Sequence, residues 1–243
     1  MSKDTVITRK DMKEPDKFQV AATQAASWAA SRKKHLVIAG GAVVAALVIV
    51  AAVSALRAQR EQTAGAAASA LLAAMGGEVS SVPLPGVPGP FFPTQEAKQR
   101  AVIAEADKVI AAHGGTGPAL VAELARGDAH YKLGDWDAAL ASYERYLKDA
   151  PADDSFRFGA LEGVGLVREA KGDLAGAAQA YERLATEAPK MADRADLERA
   201  RVLAAAGKAS EARALLAGFA EKHKDSLLTP EASERLARLG GKE

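Results

Sequence analysis

Few residues of this sequence have the types and spacing that catalysis or metal binding requires. The histidines are His35, His113, His130 and His223, and none has a second ligand or a carboxylate at metal or triad spacing. Cysteine is absent, which excludes thiolate nucleophiles, disulfides and cysteine zinc sites. The glycines stand at predicted helix ends and form no phosphate-binding loop. We therefore expect no enzyme, no metal, no cofactor and no small-molecule substrate.

Two pairs of acidic residues, Asp135 with Asp137 and Asp153 with Asp154, are close enough in sequence to be considered as catalytic carboxylates. Aspartate is also common at helix caps and in turns, because its side chain accepts hydrogen bonds from free backbone N–H groups. Both pairs follow predicted helix ends. We interpret them as caps and turns.

Composition and charge bound the fold class and the partners. Hydrophobic residues make up 49% of the 243 residues and aromatic residues only 5%, and alanine dominates, which favours an all-α fold. The net charge of +1 is uneven, since the first 34 residues carry twice as many Lys and Arg as Asp and Glu. The rest of the chain lacks the concentrated positive charge that nucleic-acid binding needs. No nucleic-acid partner is expected.

A sequence pattern recurs three times beyond residue 120. The segments 134–139, 172–177 and 207–212 align at intervals of 38 and 35 residues. Each begins with a glycine that ends one predicted helix, and the polar residues after it open another. Alanines at the expected close approach of the two helices, bulky residues one turn later and prolines that stop the second helix recur in register: Ala139, Ala177, Ala212; Tyr143, Tyr181, Leu216; Pro151, Pro189.

With these positions filled, the stretch from Gly127 to Pro151 resembles a tetratricopeptide repeat. The resemblance implies helical hairpins that stack into a solenoid, with three degenerate units within 120–226, at about 120–153, 158–191 and 193–226. A helix within 227–243, from about Pro230 to Leu239, is predicted to cap the stack, with Thr229 as its N-cap and Gly240-Gly241 at its end. Three residues depart from the family pattern where it has Trp, Leu and Tyr: Glu123, Arg126 and His130.

In tetratricopeptide proteins the first helices of the hairpins line a concave groove that binds proteins or unfolded segments, and the resemblance implies the same here. The groove positions, carried over by register, mix apolar side chains with both signs of charge: Leu124, Asp128, Tyr131, Glu162, Leu166, Glu169, Arg194, Leu197 and Arg201. The set lacks the Lys and Asn residues with which some members hold a C-terminal carboxylate.

Upstream, residues 58–119 are predicted to form a diverged first hairpin from helices at 58–75 and 95–112. The connector 77–93 between them holds five of the ten prolines and cannot be regular helix. Its apolar pair, Phe91 and Phe92, either contacts a partner or is pinned on the first hairpin. We favour the second interpretation, because buried apolar area stabilises a long loop.

A membrane span is predicted within 35–57. Leu36 to Leu56 is free of charge and, as a helix of about 1.5 Å per residue, matches a bilayer core of about 30 Å. Basic residues precede it, which places the N-terminus in the cytoplasm and the C-terminal domain outside. A cleaved signal peptide, which usually has a shorter apolar core, and a buried core helix are the alternatives. Residues 1–34 form the tail, with an amphipathic helix that starts at Glu14-Pro15-Asp16 and places Trp28 near the headgroups.

The full layout, a basic tail, one N-terminal span and a degenerate repeat domain, resembles the ancillary subunit of the bacterial SecYEG translocon, the YfgM-like family. The resemblance implies a single-pass protein of the bacterial inner membrane whose periplasmic domain is a scaffold for translocon subunits, periplasmic chaperones or unfolded clients. The alternative is a repeat scaffold that coordinates envelope or cell-division assembly without translocon contact.

Overall fold

The computed structural model describes residues 17–240, so the predicted helix start at Glu14-Pro15-Asp16 lies outside the described residues. The chain divides into two compact units, one up to Ala58 and one from Gln59 onward. The first holds helix α1 (Lys17–Ser31) and the first part of helix α2 (Lys33–Ala67). In this unit Trp28 is exposed, and the guanidinium of Arg32 lies 5.0 Å from the centre of its ring.

One helical stretch of the described residues, Lys33–Gly76, is long and apolar enough to cross a membrane by length and composition. Its most apolar window has a mean hydropathy of 2.9, and none of that window is buried in the protein. The predicted segment Leu36 to Leu56 lies inside this stretch.

The second unit is built from consecutive helices, each packed against the next. Ala64, Ala68, Leu71 and Ala74 lie on one face of the helical segment that leads into this unit, and the last three pack against the following helix. The remaining helices are α3 (Ser69–Gly76), α4 (Gln95–His113), α5 (Gly117–Leu133), α6 (Trp136–Asp149), α7 (Arg157–Ala170), α8 (Leu174–Glu187), α9 (Ala192–Ala205), α10 (Ala209–Ala217), α11 (Phe219–Lys222) and α12 (Thr229–Gly240).

The turn inside each of the last three hairpins depends on a glycine with left-handed backbone. Gly134, Gly172 and Gly207 have φ values of 81°, 78° and 78°, which side chains with a Cβ rarely adopt. The alanines expected at the close approach of the two helices have no exposed surface: Ala139, Ala177 and Ala212. The local pattern in the sequence therefore indicated these turns and contacts.

The connector corrects the all-α prediction at one point. It contains a two-residue parallel pairing of β1 (Glu78–Val79) with β2 (Phe91–Phe92). The Glu78 N–H donates to the Pro90 carbonyl at 3.0 Å, and the Ser80 N–H donates to the Phe92 carbonyl at 2.8 Å. The prolines between the strands prevent a regular helix. Backbone N–H and C=O groups at the two ends of the loop therefore bond to each other instead of within a helix.

The capping helix also differs from the prediction at its start. Thr229 is the first residue of α12, and its hydroxyl donates to the Ser226 carbonyl at 3.1 Å instead of accepting a bond from the helix. Ser226 Oγ accepts from the Leu228 N–H at 3.0 Å, one turn earlier than the predicted cap. The serine organises the turn that leads into α12.

Glu123 departs from the family pattern and forms an ion-pair cluster. Its Oε2 accepts from Arg126 at 2.5 Å, and its Oε1 lies 3.5 Å from an Arg145 nitrogen. Arg126 also reaches Asp107 at 2.8 Å and Ser142 at 3.1 Å. Charged side chains here take the place of an apolar pair, and they join α4, α5 and α6.

Burial raises the pKa of Glu123 above its ordinary value of 4.5, although Arg126 and Arg145 lower it. A carboxyl whose pKa is raised on folding binds its proton more tightly in the folded state, so its ionisation opposes folding as pH rises above 4.5. Glu123→Gln removes this titration. We expect the free energy of unfolding of the wild type to fall relative to that of Glu123→Gln between acid and neutral pH, in denaturant titrations. A constant difference across that range would contradict the shift.

Candidate protein-binding groove

Helices α5 and α7 are the first helices of two neighbouring hairpins, and one aromatic ring from α6 packs against both of them. A Cβ built on Gly127 of α5 or on Gly163 of α7 would lie 2.7 or 2.5 Å from the nearest ring atom of Tyr143. Only glycine therefore allows both helices to approach that ring. In the next hairpin a Cβ built on Gly165 would lie 2.8 Å from the nearest ring atom of Tyr181.

The same two tyrosines fix carboxylates at predicted groove positions. Tyr143 Oη donates to Asp128 Oδ1 and Tyr181 Oη donates to Glu169 Oε1, each at 2.7 Å. Burial, and then the neighbouring carboxylate, raises the pKa of both tyrosines well above the ordinary value of 10.0. Both hydroxyls stay protonated and keep the acids oriented.

Two ion pairs join the first helices α7 and α9. Arg194 lies 2.7 Å from Glu162, and Arg201 lies 2.8 Å from Glu169, one pair about two helical turns from the other. Hydrogen bonding to Glu169 raises the pKa of Arg201 above its ordinary value. Because both arginines are exposed, each pair stabilises the fold by only about 0–1 kcal/mol. Their main effect is to fix the pattern of charge.

Between α5 and α7 the predicted positions are mainly apolar. Leu124 and Tyr131 are half-buried and pack against the core that contains Tyr143, and Leu166 is half-buried on α7. The ring of Tyr131 lies 5.2 Å from that of Trp136, in a tilted arrangement. The candidate groove thus has an apolar part along α5 and α7 and a charged part along α7 and α9.

Leu197 corrects the predicted groove. It is 2% exposed and packs in a core cluster with Phe219 and Ala232. The capping helix α12 covers this part of α9, and Arg235 of α12 donates to the Leu197 carbonyl at 3.0 Å. The register from the repeats could not show this, because a capping helix has no counterpart in a continuous repeat.

Phe91 and Phe92 are both half-buried, and Phe92 packs against the core of α3, α4 and α5. A Cβ built on Gly77 would lie 2.6 Å from the Phe92 ring, so the two ends of the connector are in close contact. The exposed large apolar side chains of the connector lie elsewhere, at Val79, Val82, Leu84 and Val87. These contacts fit the pinned interpretation of the phenylalanines.

One interaction was missed at the level of sequence. His223 has a carboxylate partner, because its Nε2 lies 2.8 Å from Asp196 Oδ2, which also accepts from Lys222 Nζ at 2.5 Å. Nearby, Ser226 Oγ donates to Asp193 at 2.7 Å. No local spacing indicates a pair separated by 27 residues. Within residues 17–240 no group of His, Cys, Asp and Glu could hold a metal ion.

Comparisons with known proteins bear on this geometry. The profile of the tetratricopeptide-repeat family matches residues 124–192, which includes α6, α7 and α8. This match supports the interpretation of the chain as a tetratricopeptide-repeat protein. Tetratricopeptide-repeat proteins are generally non-enzymatic scaffolds for protein–protein interactions, and nothing in the match indicates catalysis.

Solved structures share the fold of these tetratricopeptide repeats. One is a crystal structure of nearly identical TPR-like repeats from a Podosopora anserina protein described as a kinesin light chain. It has a TM-score of 0.50 and 17% sequence identity to this chain. The match covers 60% of this chain and 79% of the other. A variant of the same protein has a TM-score of 0.50 and 16% identity, with 60% and 78% covered. None of the curated proteins matches the sequence.

Proposed function

We propose that this protein is a membrane-anchored scaffold in the bacterial inner membrane that binds proteins through its periplasmic repeat domain, as an ancillary subunit of the translocon and chaperone network. The observation that carries the proposal is the groove along α5, α7 and α9. Leu124, Tyr131 and Leu166 give it apolar surface, and fixed charges lie beside them. An extended client segment needs both kinds of contact.

The proposal of a membrane anchor is supported by the helical stretch Lys33–Gly76, because no part of its most apolar window is buried in the protein. The orientation rests on Arg32, Lys33 and Lys34, which stand at the N-terminal end of the uncharged segment. The translocon assignment rests on the layout of tail, span and repeats. The second candidate function, a scaffold for envelope or cell-division assembly, shares this layout and differs only in its partners.

Topology is the first test, and the absence of cysteine makes it direct. Ser2→Cys places a thiol in the tail, and Asp225→Cys places one in an exposed turn of the repeat domain. We expect a maleimide that cannot cross the inner membrane to label Asp225→Cys in spheroplasts, and Ser2→Cys only after lysis. The reverse pattern would exclude a periplasmic repeat domain.

Partner capture separates the two candidate functions. Proteins cross-linked to the full-length chain in membranes are identified, and the same is done for Arg194→Glu, which reverses a charge in the groove. Arg183→Glu on α8 is the matched control, because Arg183 is also an exposed arginine paired to a glutamate. We expect translocon subunits with the wild type and the control, and several-fold less with Arg194→Glu. Recovery of envelope-assembly proteins without translocon subunits would favour the second function.

A further inference from the structure

A cleft of about 1160 Å³ lies between the predicted first hairpin and α5, at the N-terminal edge of the residues that match the repeat family. It is formed by α3, α4 and α5, and Met75, Val102, Ile103 and Ala125 give it apolar walls. Its volume exceeds the range of about 300–1,000 Å³ that is typical of small-molecule pockets, so it has room for a longer ligand. Among the predicted groove positions, it includes only Asp128.

The cleft exists because two positions of α4 depart from the pattern of α6. The buried residues of α4 align with those of α6 so that Gln99 corresponds to Ala139 and Ile103 to Tyr143. In the next interval the Tyr143 ring fills the space between neighbouring first helices. Isoleucine is shorter than tyrosine, so the corresponding space beside α5 stays open.

Gln99 points to what occupies this space. The residue is only 7% exposed and lines the cleft, yet its side-chain amide makes no hydrogen bond with any residue in 17–240. The amide faces the cleft, so a ligand with its own donor and acceptor can pair with it. Lys132, also in the cleft wall, is exposed and forms no ion pair within the same residues.

We propose that this cleft binds an extended peptide segment of a protein ligand, with an apolar side chain against Met75 and Ile103 and a main-chain amide paired with Gln99. A carboxamide offers one donor and one acceptor side by side, which matches a peptide unit. The peptide is extended, because the main-chain groups of a helix are already bonded to each other. The inference rests on the proposed scaffold function and adds a subsite to it.

The test measures peptide binding to the full-length chain in lipid nanodiscs by fluorescence anisotropy. The probe is a labelled serine-glycine peptide with leucine at every second central position, and a second probe carries an N-methyl group on one central peptide bond. We expect the methylated probe to bind the wild type about fivefold more weakly, the effect of about one hydrogen bond. Gln99→Leu should bind the unmethylated probe about fivefold more weakly and show no further loss on methylation.

Gln179→Leu is the matched control, because Gln179 is an exposed glutamine on α8, outside the cleft. It should bind both probes as the wild type does. The proposal is overturned if the wild type does not bind the leucine probe, or if methylation weakens binding to Gln99→Leu as much as to the wild type. It is also overturned if Gln99→Leu melts at a lower temperature, because the amide would then serve the fold.

The cross-linking and peptide-binding experiments distinguish a wrong cleft proposal from a wrong scaffold function. If Arg194→Glu loses cross-linked partners in membranes while the leucine probe does not bind, the scaffold function stands and the cleft proposal falls. If no partner is cross-linked to the wild type, the scaffold function itself falls.

Discussion

Gly163→Ala is expected to destabilise the repeat domain by about 2 kcal/mol, although alanine is the better helix former. The new Cβ would lie 2.5 Å from the Tyr143 ring, which Gly127 confines from the other helix at 2.7 Å. A ring held on both sides cannot move away, so the helices must separate or the ring must leave its place. Thermal denaturation of the full-length chain, followed by circular dichroism, measures the loss.

Gly159→Ala is the control, because it makes the same change in the same helix. Its nearest neighbour would be Leu124 Cδ2 at 4.0 Å, an ordinary contact. Here we expect a gain of up to about 1 kcal/mol from helix propensity. The two substitutions should therefore have opposite signs. Gly163→Ala should cost less in a Tyr143→Leu background than in the wild type, and an equal cost in the two backgrounds would argue against the ring as the cause.

Asp196→Ala is expected to cost about 2–3 kcal/mol, the upper range for loss of hydrogen bonds to a buried charged group. Asp196 is 2% exposed at its side chain and accepts from His223 and Lys222 through the same oxygen. Its loss leaves His223, which is nearly as well buried, without a partner and disturbs the turn that leads into α12. We expect faster amide hydrogen exchange in α12, with little change in α6.

Glu182→Ala on α8 is the comparison, because Glu182 forms a more exposed pair with Arg199. Its cost should stay below about 1 kcal/mol. Asp196→Asn retains an acceptor for Lys222 or His223 and should lie between the two. If Asp196→Ala and Glu182→Ala cost the same, the buried cluster does not hold the capping helix.

Short-range patterns in the sequence predict much of the repeat fold. The glycines at helix ends, the alanines at close contacts and the tyrosines one turn later are fixed by geometry within a hairpin, which the repeat interval shows directly. Gly134 and Ala139 are examples. The helical stretch with Leu36 to Leu56 is likewise apparent from composition.

Contacts between distant segments could not be predicted in this way. Leu197 is buried because α12 folds back over α9, and His223 meets Asp196 across the same junction. The pairing of β1 with β2 joins the two ends of a proline-rich loop. The cleft beside Gln99 arises from what α4 lacks relative to α6. Each of these features depends on contacts between distant segments, and the periodicity of one sequence indicates only local structure.

The shared ring of Tyr143 has a consequence for how the domain comes apart. Because the ring contacts Gly127 of one hairpin and Gly163 of the next, those two hairpins cannot loosen separately without losing the same contact. Tyr181, by comparison, meets a glycine only within its own hairpin. The core cluster that contains Tyr181 also includes Ala195 and Val202 of α9, so the third repeat is joined to the second as well, and we expect the three repeats to loosen together instead of one at a time.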